Sequence, residues 1–349
     1  MRIINDCHIG TIRQAGTTPV SQGLLTEYIH QSFLNLLPSD EENTLVINGD
    51  LFDGFSVDAK EVLWAYQTLA DWLARDEYRY LTLIAGNHDW APRAEKLSSF
   101  HLLASLLTHR FNRCIKVIDH KYGLSPVYDA VWAIPHMPNQ DLFDMELTKV
   151  QDMDHGGILL LHANYDNNFA VESDHSLNVS PDQAEVLVNK GWKLVFAHEH
   201  QARNPREGVV IVGNQIPTSV ADCLGNETKK FLEVRGNTIE HVECWQREPV
   251  YFDIDWRHTD MQFEGAHFIR VSGTASTNEA EAAINAVNQL RKRSTAFVVS
   301  NAVRVDGLAE MDQLSGLSFE EVTAFDVLGA LCEELTPEEA KVVKELIQC

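Results

Sequence analysis

Five short motifs place metal-binding residue types directly after predicted strands. They are Asp6-Cys7-His8, Gly49-Asp50-Leu51-Phe52-Asp53, Gly86-Asn87-His88-Asp89, the single His162 and His198-Glu199-His200. In a layered α/β fold, the carboxyl ends of the strands meet at one edge of the sheet, where ligands bind. Residues two apart in an extended chain point the same way, so Asp6 and His8 are expected to face one site. The same argument applies to His198 and His200.

The side chains in these motifs suit a pair of divalent transition ions. Imidazole and carboxylate favour manganese, iron or zinc. The sequence has no cluster of cysteine thiolates, which argues against a structural zinc site. Two ions about 3.5–4 Å apart can share a bridging carboxylate, hold a phosphoryl oxygen and stabilise an in-line displacement. His88 follows the predicted ligand Asn87, and an imidazole there could protonate a leaving oxygen or stabilise transition-state charge.

Each motif taken alone has a simpler explanation. Strand-end histidines are common without a metal, and Gly-Asp pairs often serve a turn. Cys7 lies between two predicted ligands and is expected to point away from them, into the core. The metal interpretation therefore depends on the ordered combination of all five motifs, each after an apolar strand.

The elements that would position these motifs alternate along the first 200 residues. The predicted strands are Arg2–Asn5, Thr44–Asn48, Tyr80–Ala85, Cys114–Ile118, Ala130–Ile134, Gly157–Leu161 and Lys193–Ala197. Apolar residues at helical spacing predict helices over 59–75 and 96–110, and Ser180 followed by Pro181 predicts a helix start. This alternation is typical of a layered α/β fold class.

The C-terminal third changes in character. Residues 208–256 read as short strands, and residues 264–305 form a strand, a helix and further strands, which is a compact β-α-β unit. Capping-box patterns at Ser318 and Thr336 predict two helices in the tail. We therefore predict a catalytic domain over 1–256, a small second domain over 257–306 and a helical tail over 307–349.

Charge and composition limit the function classes. The 349 residues carry 28 Lys and Arg against 51 Asp and Glu, a net charge of −23, which argues against a simple electrostatic nucleic-acid binder. No apolar run is long enough for a membrane span, and no leader sequence is apparent. The six cysteines are scattered, which indicates free thiols and predicts a cytoplasmic location.

The ordered motif set resembles the calcineurin-like metallophosphoesterase superfamily over residues 1–200. This resemblance implies a four-layer β-sandwich flanked by helices, with two metal sites that share Asp50. One site would comprise Asp6, His8, Asp50 and His200, and the other would comprise Asp50, Asn87, His162 and His198. Mn²⁺ is the expected metal, with Mg²⁺, Fe²⁺ or Zn²⁺ as alternatives. The resemblance also implies that His88 is catalytic, that Asp89 orients it and that Asp53 supports the site.

Within this superfamily, the chain is most similar to the SbcD-type DNA exonuclease subunits. The similar features are a strand that ends in Pro135-His136, the order of strands after residue 200, and a β-α-β unit where those subunits carry a capping domain. This resemblance implies an exonuclease and endonuclease for DNA repair or processing, in which a metal-activated water attacks the phosphodiester while His88 assists. Ala197 and Asn214 depart from the usual glycine and serine, and the short cap leaves selection of double-strand ends open.

The same resemblance predicts partners. The segment 264–305 holds five basic and three acidic residues, and the cationic side chains that could contact DNA are Arg270, Arg291, Lys292, Arg293 and Arg304. The alternative is a solvated helix end with favourable dipole pairing. The tail carries an apolar stripe that would dock an SbcC-type ABC ATPase, unless it packs on its own chain. Helix 96–110 could pair with its copy in a homodimer.

Two other functions stay open from the sequence. One is a phosphatase or phosphodiesterase that acts on a small molecule or a phosphoprotein. The other is a non-catalytic scaffold with a vestigial site, which the intact set of predicted ligands disfavours because a decayed site should have lost at least one ligand type.

Overall fold

A computed structural model describes residues 1–11, 19–39, 42–90, 96–167, 176–223, 228–244, 251–263 and 265–306. Within these ranges the helices are α1 Pro19–Leu36, α2 Ala59–Ala74, α3 Ser99–Phe111, α4 Gln140–Gln151, α5 Pro181–Asn189 and α6 Ala280–Arg293. The first strands are β1 Arg2–Ile4, β2 Thr44–Asn48, β3 Tyr80–Ile84, β4 Ile115–Ile118, β5 Ser125–Tyr128, β6 Val131–Ile134, β7 Ile158–His162, β8 Asn164–Tyr165, β9 Asn178–Val179 and β10 Lys193–Ala197. The later strands are β11 Arg203–Arg206, β12 Val209–Ile211, β13 Lys230–Arg235, β14 Thr238–Glu243, β15 Tyr251–Asp255, β16 Phe268–Ser272, β17 Thr274–Ala275, β18 Val298–Asn301 and β19 Arg304–Val305.

Two six-stranded sheets form the body of the molecule. The first has the order β14-β13-β1-β2-β3-β4, and the second has the order β11-β12-β10-β7-β6-β5. Strands β1 to β4 run parallel to one another, as do β6, β7, β10 and β12. Strands β13, β5 and β11 pair antiparallel with β1, β6 and β12. The carboxyl ends of the parallel strands in each sheet therefore lie at one edge, where the five motifs begin.

The two sheets pack face to face between outer layers of helices. Ile3 and Val46 of the first sheet join residues of the second sheet in a core between the sheets. The alternate residues Ile4 and Ile47 face outward and pack in a core shared with α1, α2 and α3, and α4 and α5 cover the second sheet. This alternation of faces follows from the two-residue period of a strand, and the four layers confirm the predicted α/β fold class.

A third, parallel sheet of β15, β16 and β18 follows the two large ones. One face packs under α6, and the other contributes Phe268 and Phe297 to the core that contains α1. Because β15 begins at Tyr251, this sheet includes residues before the predicted boundary at 256. The division into domains stays a prediction, and the predicted tail helices lie outside the described residues.

In the described parts of the chain, no helix is both long enough and apolar enough to cross a bilayer.

Candidate metal centre

All seven predicted metal ligands meet at the strand edge. The donor atoms of Asp6, His8 and His200 lie within 4.8 Å of one another, and so do those of Asp50, His162 and His198. The seventh residue, Asn87, completes the second group. Its Oδ1 lies 2.9 Å from His162 Nε2 and 3.0 Å from His198 Nδ1.

The backbone at four of the seven predicted ligands is left-handed rather than extended. Asp6, His8, Asp50 and His198 have φ values of 49°, 47°, 47° and 83°. The expectation that strand alternation aligns Asp6 with His8 is therefore wrong, because neither residue has extended geometry. Non-glycine residues in this region store strain and cluster at functional sites. Cys7 is fully buried in the apolar core, as expected.

Two glycines leave the space in which the ligands converge. A Cβ on Gly49, whose φ is 84°, would lie 1.9 Å from His162 Nδ1. A Cβ on Gly86 would lie 2.1 Å from Asp50 Oδ1. Any larger residue at these positions would push a predicted ligand out of place, which explains why the Gly-Asp and Gly-Asn pairs begin their motifs.

His88 lies at the border of this cluster, with its ring held by Asp53 rather than by Asp89. Its Nδ1 donates a hydrogen bond to the Asp53 carbonyl oxygen over 2.7 Å. Its Nε2 lies 4.0 Å from Asp50 Oδ2. Asp53 also places Oδ1 3.5 Å from His8 Nδ1, so it contacts both rings.

Asp89 has a different position from the one expected. Its carboxylate accepts backbone N–H groups from Gly86 over 3.0 Å, Phe52 over 3.3 Å and Leu51 over 3.4 Å. Asp89 therefore joins the second and third motifs, and the contact that orients the His88 ring comes from Asp53.

Burial and neighbouring charge change the acidities in the centre. Burial alone would raise the pKa of Asp50, but the adjacent His162 holds it well below its usual range. Burial opposes protonation of His162, but Asp50 raises the pKa of that ring to about 9. Burial and the nearby His200 lower the pKa of His8 to about 3, so the His8 ring is neutral.

The donor set fits divalent metal ions. His8 Nε2 and His200 Nε2 lie 3.0 Å apart, so two imidazole nitrogens are aimed at the same point. The neutral His8 ring has a lone pair to offer, and the buried Asp50 carboxylate supplies negative charge that a cation would compensate. Carboxylate, amide and imidazole donors from five strand ends are the ligand types that manganese, iron and zinc accept.

Sequence reasoning missed Asp222. This buried carboxylate accepts a hydrogen bond from His200 Nδ1 over 2.8 Å. It lies in a short segment between β12 and β13 that carries no motif of its own. The only sequence signal is an acidic residue in an otherwise apolar and hydroxyl-rich stretch, Thr218 to Cys223, which is too common a pattern to single it out.

A second unpredicted contact fixes the loop of the last motif. Glu199 accepts the backbone N–H of Tyr165 over 2.7 Å and binds Arg203 Nη2 over 2.8 Å. Arg203 Nη2 also donates to the Tyr165 carbonyl oxygen over 2.8 Å. Glu199 thus connects β8 with the loop that follows β10, while its neighbours His198 and His200 face the centre.

The predicted DNA-contacting residues lie in β16, α6 and β19 rather than in the two donor groups, and three of them bind their own chain. Arg270 pairs with Asp253 over 2.9 Å, and Arg291 Nε donates to the Val299 carbonyl oxygen over 3.0 Å. Arg293 donates to the carbonyl oxygens of Asp260 and Met261. Lys292 and Arg304 are exposed.

The fold and the site define the class of protein. Two packed sheets between helices, with two convergent Asp/His groups at the strand edge, form the architecture of a metal-dependent phosphoester hydrolase. A family model described as calcineurin-like phosphoesterase matches residues 2–242. The chain belongs to this family. A search of curated proteins gave no match.

Proposed function

We propose that this chain is a two-metal phosphodiesterase that cleaves DNA and works as an SbcD-type nuclease subunit. The observation that carries the proposal is the arrangement around Asp50. Its carboxylate lies 3.3 Å from His162 Nε2 in one donor group. Its negative charge also acts to raise the pKa of His8 in the other group. A residue in this position could bridge two ions, with Asp6, His8 and His200 on one side and Asn87, His162 and His198 on the other.

The bound ions, with Mn²⁺ as the expected metal, would supply Lewis acidity toward a phosphoryl oxygen and toward an attacking water. The protein's own residues would do the rest. With both ring nitrogens protonated, His88 would give its Nε2 proton to the leaving oxygen and keep its Nδ1–H on the Asp53 carbonyl oxygen. The backbone N–H of His88 donates to Asp50 Oδ1 over 3.0 Å, which fixes the distance between the proton donor and the proposed bridge.

The nuclease assignment is supported by the third sheet. This unit follows the catalytic fold in the chain, as the capping domain does in SbcD-type subunits. Its exposed Lys292 and Arg304 are available to phosphates, whereas Arg270, Arg291 and Arg293 have intramolecular partners. With a net charge of −23, the chain would draw part of its DNA affinity from elsewhere.

That further affinity would come from an SbcC-type ABC ATPase docked on the tail. The apolar tail residues lie outside the described ranges and consist of Phe319, Val322, Leu328, Leu331 and Leu335. The substitution Leu328→Asp with Leu331→Asp is expected to abolish co-purification with the ATPase while leaving the nuclease activity of the free subunit. Unchanged co-purification would contradict this docking.

The function is tested by adding Mn²⁺ to the purified metal-free protein with linear double-stranded and single-stranded DNA. We expect degradation that His88→Ala lowers by about 10²–10⁴-fold and that Asp50→Ala removes. Two Mn²⁺ equivalents should still bind to His88→Ala, because His88 is not a proposed ligand. If the protein leaves DNA intact but hydrolyses p-nitrophenyl phosphate, it is a phosphatase of small molecules or phosphoproteins and the nuclease proposal is wrong.

A further inference from the structure

Asp222 holds the ring of a proposed metal ligand in one orientation. It lies in the short 3₁₀ turn Ala221–Cys223, and its Oδ1 accepts a hydrogen bond from His200 Nδ1 over 2.8 Å. An ionised carboxylate can only accept, so Nδ1 carries a proton. The other ring nitrogen of His200 is the one that lies 3.0 Å from His8 Nε2. The carboxylate thereby decides which nitrogen faces the donor group.

Asp222 is itself fixed on its other side. Its Oδ2 accepts the backbone N–H groups of Thr218 over 2.8 Å and Ser219 over 2.9 Å. Its own N–H donates to Ser219 Oγ over 3.3 Å. Both oxygens of this buried carboxylate are engaged, so the turn holds it against His200.

The same chain segment also holds the backbone of His200. The Asn214 N–H donates to the His200 carbonyl oxygen over 3.2 Å, and Lys229 Nζ binds Asn214 Oδ1 over 2.7 Å. His200 is therefore fixed at its ring and at its main chain by residues that follow β12.

The pair of His101 and Asp119 shows what is particular about His200 and Asp222. His101 binds Asp119 through Nε2 over 3.1 Å and Ser98 Oγ through Nδ1 over 2.8 Å, so both of its nitrogens serve the local fold. In His200, one nitrogen binds a carboxylate and the other faces a second imidazole. This arrangement, a ligand ring oriented by a carboxylate behind it, is how proteins orient and polarise metal-bound histidine.

We propose that Asp222 is a positioning residue that sets the affinity of one of the two metal sites, the one formed by Asp6, His8 and His200. The role rests on the proposed two-metal function. Its only direct contact with a proposed ligand in the described residues is His200, so the site of Asp50, His162 and His198 should not depend on it.

The test is calorimetric titration of the metal-free full chain with Mn²⁺. Asp222→Asn is expected to weaken one of the two Mn²⁺ equivalents by about 10–100-fold and to leave the other within about threefold of the unmodified protein. The retained site confirms that the variant is folded. Asp222→Glu keeps a carboxylate and is expected to recover affinity relative to Asp222→Asn. The matched control is Asp119→Asn, which removes the buried carboxylate that pairs with the partly exposed His101 and should leave both sites unchanged.

A double variant separates positioning from a general structural effect. If Asp222 acts through His200, then Asp222→Asn adds no further loss of Mn²⁺ affinity to His200→Ala. Unchanged affinity in Asp222→Asn, equal weakening of both sites, or an additive loss in the double variant would each overturn the proposal. If the unmodified protein binds no Mn²⁺, Fe²⁺ or Zn²⁺, the two-metal function fails and the role of Asp222 fails with it. If two ions bind but no DNA is cleaved, only the nuclease assignment fails.

Discussion

Asp50 and the residues packed against it show how little space the centre allows. The carboxylate projects from a residue with φ of 47°, and Gly86 lies directly behind it. A Cβ at position 86 would come within 2.1 Å of Asp50 Oδ1 and 2.5 Å of the Asp50 backbone nitrogen. Relief of either contact would move Asp50, the proposed bridging ligand. Single atoms at this position therefore control the donor geometry.

We expect Gly86→Ala to abolish tight binding of both Mn²⁺ ions and to lower DNA cleavage by at least about 10²-fold, because displacement of a bridging ligand affects both sites. The measurement is Mn²⁺ titration alongside circular dichroism. The matched control is Gly23→Ala in α1, where an added Cβ has nothing within 4 Å and should stabilise the helix by about 0.5–1 kcal/mol. Normal Mn²⁺ binding in Gly86→Ala would contradict this account.

At the scale of elements, the third sheet is attached to the catalytic body through rings. Phe297 stacks on His267 with centroids 4.7 Å apart, and Tyr28 of α1 lies 5.2 Å from Phe297. Phe268 and Phe297 belong to the same buried core as Ile29 of α1. This shared core packs the third sheet against the body of the molecule.

We expect Phe297→Ala to lower the free energy of unfolding by about 3–5 kcal/mol. The melting temperature should fall for the third sheet and for the two large sheets together. Because the core is continuous, calorimetry of the unmodified protein should show the third sheet and the two large sheets unfolding in one transition. Ile284→Ala on the same unit is the control, since that side chain is 53% exposed and should change stability by less than about 0.5 kcal/mol. A separate, earlier unfolding transition for the third sheet in the unmodified protein would contradict the shared core.

At the scale of the whole molecule, metal binding, protonation and stability are linked. Burial opposes protonation of His162 and His200, but Asp50 and Asp222 raise the pKa of each ring to about 9. In the metal-free protein these protonated rings stabilise the fold below pH 6.5, and that contribution is lost as the pH rises to about 9. Metal ions bind the neutral rings, so protons and ions compete for the same nitrogens.

We therefore expect the rise in melting temperature caused by Mn²⁺ to grow between pH 6.5 and about pH 9. At 100-fold excess of ion over the dissociation constant, binding contributes about 2.7 kcal/mol. Calorimetry at pH 7.5 in two buffers of different ionisation enthalpy should show proton release on Mn²⁺ binding. His200→Asn should release about one proton fewer. A Mn²⁺-induced shift that is independent of pH would contradict this linkage.

Much of the fold and of the centre could be predicted because it follows from local pattern. Strands such as Thr44–Asn48 and Lys193–Ala197 have short apolar runs typical of buried parallel strands, and parallel strands bring their ends to one edge. The predicted ligands from Asp6 to His200 come together for this reason. The acidic composition likewise follows directly from the sequence and bears on how DNA would be held.

The tertiary structure alone decided how the side chains reach one another. The left-handed backbone at Asp6 and His8, the Asp53 carbonyl behind His88 and the Asp222 carboxylate behind His200 depend on packing between segments distant in the chain. No sequence spacing links residue 53 to residue 88, or residue 200 to residue 222. These residues meet only because the folded chain brings distant segments together. Residue type and strand order therefore determined the ligand set, and close packing of two sheets determined its geometry.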